Sequence, residues 1–140
     1  MTYDEQEVSV TFLVNILKSA FFNVYDVEEE GFKIKVDQYQ INIIFDSENK
    51  RIKFSSIDVI HDYSLILFKS LLLAVNNANE HFVNVTNYVV HYEDKIYLRV
   101  DQYISYSNGL IIEQFVELLR LFDKISVAVF QKYIVPILGD

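Results

Sequence analysis

The chain has 140 residues, a formal net charge of −8 and no cysteine. The length favours one domain, residues 1–140, with its own hydrophobic core, and the charge disfavours nucleic acids and anionic membranes as partners. The absence of cysteine excludes disulfides and thiolate metal ligands. The N-terminal segment is acidic where a signal peptide would be basic, and no apolar run is long enough to span a bilayer, so we expect a cytoplasmic protein.

The first predicted element is an amphipathic helix. The acidic run from Asp26 to Glu30, with Gly31 after it, is expected to end this helix. Its apolar side follows helical spacing and consists of Phe12, Leu13, Ile16, Leu17, Ala20, Phe21 and Val24.

Three short strands are predicted next, because apolar and polar residues alternate from 32 to 36, from 39 to 45 and again from Ile52. The apolar parity changes between Val36 and Tyr39, which predicts a turn at Asp37-Gln38, with a bulge as the alternative. A second turn is expected at 46–50, which is rich in turn-forming residues. The pattern indicates a three-stranded meander.

A second helix is predicted to begin near Asp62 or Ser64, since either side chain can cap it. We assign Ile66, Leu67, Leu71, Ala74, Val75 and Ala78 to its core face. The opposite side is apolar as well, and a helix that is apolar nearly all round is buried on both sides. Another subunit or a partner is therefore expected to cover that side, although simple overpacking of a monomer core is an alternative. This candidate protein or dimer interface consists of Leu65, Phe68, Leu72 and Leu73.

The last third of the chain predicts a hairpin and a long helix. Residues 83–92 form one strand, Glu93-Asp94 a turn, and residues from Ile96 to Val100 the returning strand. An amphipathic helix follows Asn108-Gly109, and Pro136 is expected to end it.

Few residues suggest metal binding or catalysis. Asp58, His61 and Asp62 are spaced closely enough to share a metal ion, but no second pair of ligands accompanies them, so we favour a strand-to-helix junction. His81 and His91 lack a nucleophile in a recognisable context. We therefore expect no catalytic residue, no metal and no cofactor.

One stretch carries a family resemblance. The sequence from Val75 to Phe82, Val-Asn-Asn-Ala-Asn-Glu-His-Phe, is followed by a strand, Glu93-Asp94 and a segment from Ile96 to Asp101. This succession resembles the YbjN family, whose members are labelled sensory transduction regulators and are similar in fold to type III secretion chaperones. The resemblance implies an α+β fold in which a five-stranded antiparallel sheet packs against helices, and it implies binding of other polypeptides.

These observations predict an α+β domain ordered as helix, three-strand meander, helix, two-strand hairpin and helix. The expected function is non-enzymatic protein binding, chaperone-like or regulatory, by a homodimer whose polypeptide partner the sequence does not name. The alternative is a small-ligand-binding protein or enzyme with a pocket lined by tyrosine and histidine.

Overall fold

A computed structural model describes residues 1–36 and 39–139. The chain divides into two compact units. Unit 1 contains Met1–Ser55 and Tyr103–Asp123, and unit 2 contains Ser56–Gln102 and Lys124–Asp140. The single-domain assignment of residues 1–140 stays a prediction.

The fold is α+β, with an antiparallel sheet packed against helices. In the described residues, six strands follow the order β2-β3-β4-β5-β7-β6, and β1 pairs separately with β8. None of the helices in the described part of the chain is long and apolar enough to cross a bilayer. The elements are β1 (Thr2–Tyr3), α1 (Val10–Ser19), β2 (Asn23–Glu28), β3 (Gly31–Val36), β4 (Tyr39–Asp46), β5 (Arg51–Asp62), α2 (Leu65–His81), β6 (Thr86–Tyr92), β7 (Lys95–Ser105), β8 (Leu110–Ile111), α3 (Ile112–Val129) and α4 (Val135–Leu138).

The first helix ends earlier than the sequence pattern predicts. Phe21 adopts a left-handed φ of 69°, and the N–H of Phe22 donates to the carbonyl of Leu17 at 2.9 Å, which closes the helix in a Schellman-type turn. Val24 then lies in β2, opposite Ile34 of β3. The placement of Phe21 and Val24 on the helix is therefore wrong, and β2 adds a strand to the five that were expected.

The predicted meander is present as β3, β4 and β5. Val36 pairs with Tyr39 across β3 and β4, while the turn predicted at Asp37-Gln38 lies outside the described residues. The turn before β5 is held by Asp46, whose Oδ1 accepts the N–H of Asn49 at 3.1 Å. β5 continues well beyond its predicted length, to Asp62.

Unit 1 is built around aromatic and aliphatic side chains. Phe54 of β5 is fully buried, and its ring centre lies 5.7 Å from the rings of both Phe115 and Phe122 of α3. Leu13 and Leu17 of α1 are also fully buried, and α1 packs against β2 and β3.

In unit 2, α2 packs on β6 through a buried stripe. Pro136 does not end the C-terminal helix. α3 passes through a π-helical segment, Phe130–Ile134, into α4, and Pro136 lies in the first turn of α4. The stripe consists of Leu71, Ala74, Val75 and Ala78.

Candidate functional site

The start of α2 is fixed by Ser64. Its Oγ accepts the N–H of Leu67 at 3.3 Å, which satisfies one of the free donors at the helix N-terminus. Asp62 instead forms an ion pair with Lys95. Of the two predicted caps, Ser64 is confirmed, and capping by Asp62 is wrong.

The outer face of α2 carries four large aliphatic side chains, and they are exposed by 55% at Leu65, 81% at Ile66, 40% at Leu72 and 68% at Leu73. Ile66 was expected in the core and lies outside it, because the buried stripe is centred on Leu71, Ala74 and Ala78. We use the term outer face for Leu65, Ile66, Leu72 and Leu73. Single exposed apolar residues are common on proteins, but four on one short helix surface are typical of an interaction site.

Phe68 differs from the other three predicted interface residues, since it is half-buried in an aromatic cluster of unit 2. Its ring centre lies 6.1 Å from that of Tyr63 and 6.2 Å from that of His91. Tyr63 and His91 stack on each other at 3.5 Å with an interplanar angle of 9°. Phe68 therefore borders the outer face and anchors the first turn of α2.

The residues considered for a metal site do not converge. His61 Nδ1 lies 2.9 Å from the carbonyl oxygen of Asp62, and the ion pair with Lys95 lowers the pKa of Asp62 and raises that of Lys95. Neighbouring atoms displace water from Asp58 and raise its pKa. Within residues 1–36 and 39–139, no three histidine, aspartate or glutamate side chains are grouped to hold a metal ion.

His81 and His91 both make local structural contacts. His81 ends α2, and its Nδ1 lies 2.9 Å from the carbonyl oxygen of Asn77. His91 places Nε2 2.8 Å from the carbonyl oxygen of Glu93, beside the stack with Tyr63. Each imidazole thus contacts its own helix end or hairpin turn.

Unit 1 contains an open cleft of about 520 Å³, which includes Tyr103 but no histidine. The guanidinium of Arg51 lies 4.2 Å from the centre of the Tyr103 ring, and its Nε lies 3.1 Å from Asp46 Oδ2. Hydrogen bonds from Asn49, and then the charge of Arg51, lower the pKa of Asp46. This cleft does not combine tyrosine with histidine, as the alternative interpretation of the sequence requires.

A contact between α2 and the edge of the sheet was not expected from the sequence. The Oδ1 of Asn79 accepts the main-chain N–H of Asn87 at 2.7 Å, and its Nδ2 donates to the main-chain carbonyl of Asn87 at 2.8 Å. Asn79 belongs to the asparagine-rich stretch that carries the family resemblance. An asparagine at the buried side of a helix end was the available signal, because a buried amide needs a polar partner.

The fold has a counterpart among solved structures. No protein-family model matches the sequence, and no curated protein matches it. The chain is similar to the crystal structure of YbjN from E. coli, described as a proposed transcription regulator, with a TM-score of 0.72 and 15% sequence identity over 87% of this chain and 88% of that one. The resemblance seen in the sequence is confirmed at the level of architecture, and this chain has a YbjN-like fold.

Proposed function

We propose that this chain is a non-enzymatic protein-binding module, chaperone-like or regulatory, that forms a homodimer through the outer face of α2 and binds a polypeptide partner. The observation that carries the proposal is the exposure of Leu65, Ile66, Leu72 and Leu73 on a helix whose opposite side is already buried. Fully burying one exposed side chain of this kind contributes roughly 1.5–3 kcal/mol. Each of these four is 40–81% exposed and would contribute part of that value when covered.

Charge supports a protein as the occupant of this face. The chain carries −8 overall, whereas the outer side of α2 has Lys69 and Asn76 between its aliphatic residues. An apolar surface with few charges fits another protein surface better than it fits a nucleic acid, which requires clusters of Lys and Arg.

The comparison supports the regulatory part of the proposal. The YbjN structure is described as a proposed transcription regulator, and the fold is shared over most of both chains. Because this chain is acidic, we propose that any regulatory role operates through protein contacts rather than by direct binding to DNA.

Light scattering of a double variant tests the proposal. Leu65→Gln combined with Leu72→Gln removes apolar area from the outer face and adds no charge. We expect the wild type to have twice the chain mass of 16.5 kDa and the double variant to have the mass of one chain, with unchanged circular dichroism.

The control is Leu121→Gln, which changes a residue of α3 that is 45% exposed and lies in unit 1. This variant should remain dimeric. A wild type that is monomeric at all concentrations, or a double variant that stays dimeric, would contradict dimerisation through α2.

A further inference from the structure

The open cleft of unit 1 lies on the face of the sheet that is turned away from the core. Arg51 and Lys53 of β5 line it, and they alternate with the buried Ile52 and Phe54, so their side chains project from the opposite face. The cleft volume of about 520 Å³ is within the range of about 300–1,000 Å³ that is typical of ligand sites. Its lining includes residues of two hairpin turns, 29–30 and 47–48.

Both turns are held in place by the main chain. The N–H of Phe45 donates to the carbonyl of Glu30 at 2.7 Å. A Cβ at Gly31 would lie 2.3 Å from the carbonyl oxygen of Ile43, so only glycine lets this turn approach β4 so closely. The second turn is held by two hydrogen bonds that Asp46 accepts within it. The walls of the cleft are therefore formed before any ligand binds.

Arg51 enters the cleft with a fixed orientation. Its Nε donates to Asp46 Oδ2 at 3.1 Å, and its guanidinium carbon lies 4.2 Å from the centre of the Tyr103 ring. Within residues 1–36 and 39–139, its terminal nitrogens Nη1 and Nη2 make no hydrogen bond, and the side chain is 42% exposed. A guanidinium that is held at Nε and stacked on a ring presents these two nitrogens in one plane, which matches the two oxygens of a carboxylate.

Three glutamates give the cleft an excess of negative charge. Glu29, Glu30 and Glu48 are exposed, and in the described part of the chain their side chains form no hydrogen bond and no ion pair. The lining contains four acidic residues and two basic ones. Phosphates and nucleic acids, which carry only negative charge, are disfavoured in such a cleft. A ligand that brings an ammonium group together with its carboxylate is favoured.

The cleft also offers apolar surface. Ile44 is 39% exposed and Tyr103 is 50% exposed, and both line the cleft. An apolar side chain of a ligand would remove area from water at both residues. The lining therefore combines a carboxylate receptor, acidic groups and apolar surface, which are the complements of the three parts of a peptide with free ends.

The size of the cleft sets the length of such a peptide. A volume of 520 Å³ corresponds to a cube with an edge of roughly 8 Å, and two extended residues span about 7 Å. A longer extended peptide would project from the cleft with one of its charged ends. Two residues are the length that places both termini within it.

We propose that this cleft binds a dipeptide with free termini and apolar side chains. Its carboxylate accepts hydrogen bonds from the terminal nitrogens of Arg51. Its ammonium group lies beside the glutamates, and a side chain packs on Ile44 and Tyr103. This inference goes beyond the proposed function and is tested separately from it, since the cleft belongs to unit 1 and the outer face of α2 belongs to unit 2.

Titration with leucyl-leucine, followed by NMR spectroscopy, tests the proposal. We expect saturable shifts of the main-chain amide signals of Ile44, Ser47 and Glu48, which line the cleft. A titration that leaves these signals unchanged would overturn the proposal.

Blocked forms of the same peptide separate the two charges. N-acetyl-leucyl-leucine keeps the carboxylate and loses the ammonium group, and leucyl-leucine amide does the reverse. Each should bind about tenfold more weakly than the free dipeptide, because each lacks one charge-assisted contact. Inorganic phosphate should cause no saturable shift. Phosphate or an acetylated peptide that binds as tightly as the free dipeptide would indicate a simple anion site and overturn the proposal.

Arg51→Lys tests the contact with the carboxylate. Lysine keeps the positive charge but cannot present two nitrogens in one plane. We expect the free and the acetylated dipeptide to bind about tenfold more weakly to this variant, and the amide to bind as it does to the wild type. Unchanged affinity for the free dipeptide would contradict the proposed contact.

The triple variant Glu29→Gln/Glu30→Gln/Glu48→Gln tests the contact with the ammonium group, and it decides the question if Arg51→Lys does not fold. Its three positions are exposed, so the fold should be kept. Affinity for the free dipeptide should fall about tenfold. Affinity for the acetylated peptide should rise, because repulsion of its carboxylate is removed. Equal effects on the two peptides would overturn the proposal.

The matched control is Lys35→Gln. Lys35 is exposed on β3 and does not line the cleft. Its replacement removes one positive charge from unit 1 and should leave the affinities for all three peptides unchanged. A loss as large as that in Arg51→Lys would indicate a general effect of charge and contradict a site in the cleft.

Discussion

The side chain of Asn79 binds the main chain of Asn87 through two hydrogen bonds of 2.7 and 2.8 Å. This contact joins the last turns of α2 to the first residues of β6. It fixes the helix on the sheet and occupies both main-chain groups of Asn87 in the last strand of that sheet. The outer face of α2 and the edge of β6 are thereby held beside each other.

Removing this contact should destabilise the fold. In Asn79→Ala the main chain of Asn87, a residue that is 1% exposed, loses both partners, and a buried unsatisfied polar group costs about 1–3 kcal/mol. We expect urea denaturation to show a loss of that size. Asn77→Ala, at an exposed position of the same helix, should change stability by less than about 0.5 kcal/mol. Equal losses of stability in the two variants would show that the contact between Asn79 and Asn87 does not stabilise the fold.

Two phenylalanines differ in burial and should therefore differ in their contribution to stability. Phe54 is fully buried between Phe115 and Phe122, so Phe54→Ala should lower the free energy of unfolding by about 3–5 kcal/mol. Phe21 is 96% exposed, so Phe21→Ala should have almost no effect in the same denaturation experiment. A large loss at Phe21 would support the helical placement that the sequence pattern predicts.

The start of α2 can be tested by its cap. Ser64→Ala removes the acceptor for the N–H of Leu67 and should cost about 0.5–2 kcal/mol in thermal or urea unfolding. Asp62→Ala removes only an exposed ion pair with Lys95 and should cost less. The reverse order would assign the cap to Asp62.

Asp46 should titrate below the ordinary range of aspartate. The side chain of Asn49 donates to Asp46, and its main-chain N–H and the charge of Arg51 act in the same direction, so the pKa is lowered. The carboxylate contributes stability above the pKa of about 3.9 that aspartate has in the unfolded chain, and this contribution is lost as pH falls through the lowered value. Carbon-detected NMR titration should show the low midpoint, and Asn49→Ala should raise it. An unchanged midpoint in that variant would assign the effect elsewhere.

Sequence periodicity predicts the strands in which apolar and polar residues alternate strongly. It wrongly assigns the segment that follows α1 to the helix. Residues 20, 21 and 24 fit a helical face, yet Val24 and Tyr25 are equally at home in a strand. Helix α1 ends because Phe21 adopts a left-handed conformation, and this position is not a glycine, the residue that usually signals such an end. Local composition does not contain this information, because the helix end is set by tertiary packing.

The exposed apolar side of α2 was predictable in outline, while its role as an interface stays a prediction. An α2 helix that is apolar all round indicates a second covered side, and Leu65, Leu72 and Leu73 are exposed as that interpretation requires. Whether Ile66 faces the core or the surface depends on the rotation of α2 about its axis. The sequence pattern determines this rotation only to within one residue. The position of β6 at the end of the sheet was not predictable from one sequence, since it depends on which strands are neighbours.

Whether the outer face of α2 is covered in the native protein is measured most directly by covalent footprinting with a carbene or hydroxyl-radical reagent. Phe21 and Val83, at 96% and 84% exposure, serve as internal references. We expect Leu72 and Leu73 to be labelled far less than their exposures of 40% and 68% in a single chain imply. We also expect the Leu65→Gln/Leu72→Gln variant to restore labelling at Leu73. Full labelling of Leu72 and Leu73 in the wild type, in proportion to those exposures, would contradict the proposed interface.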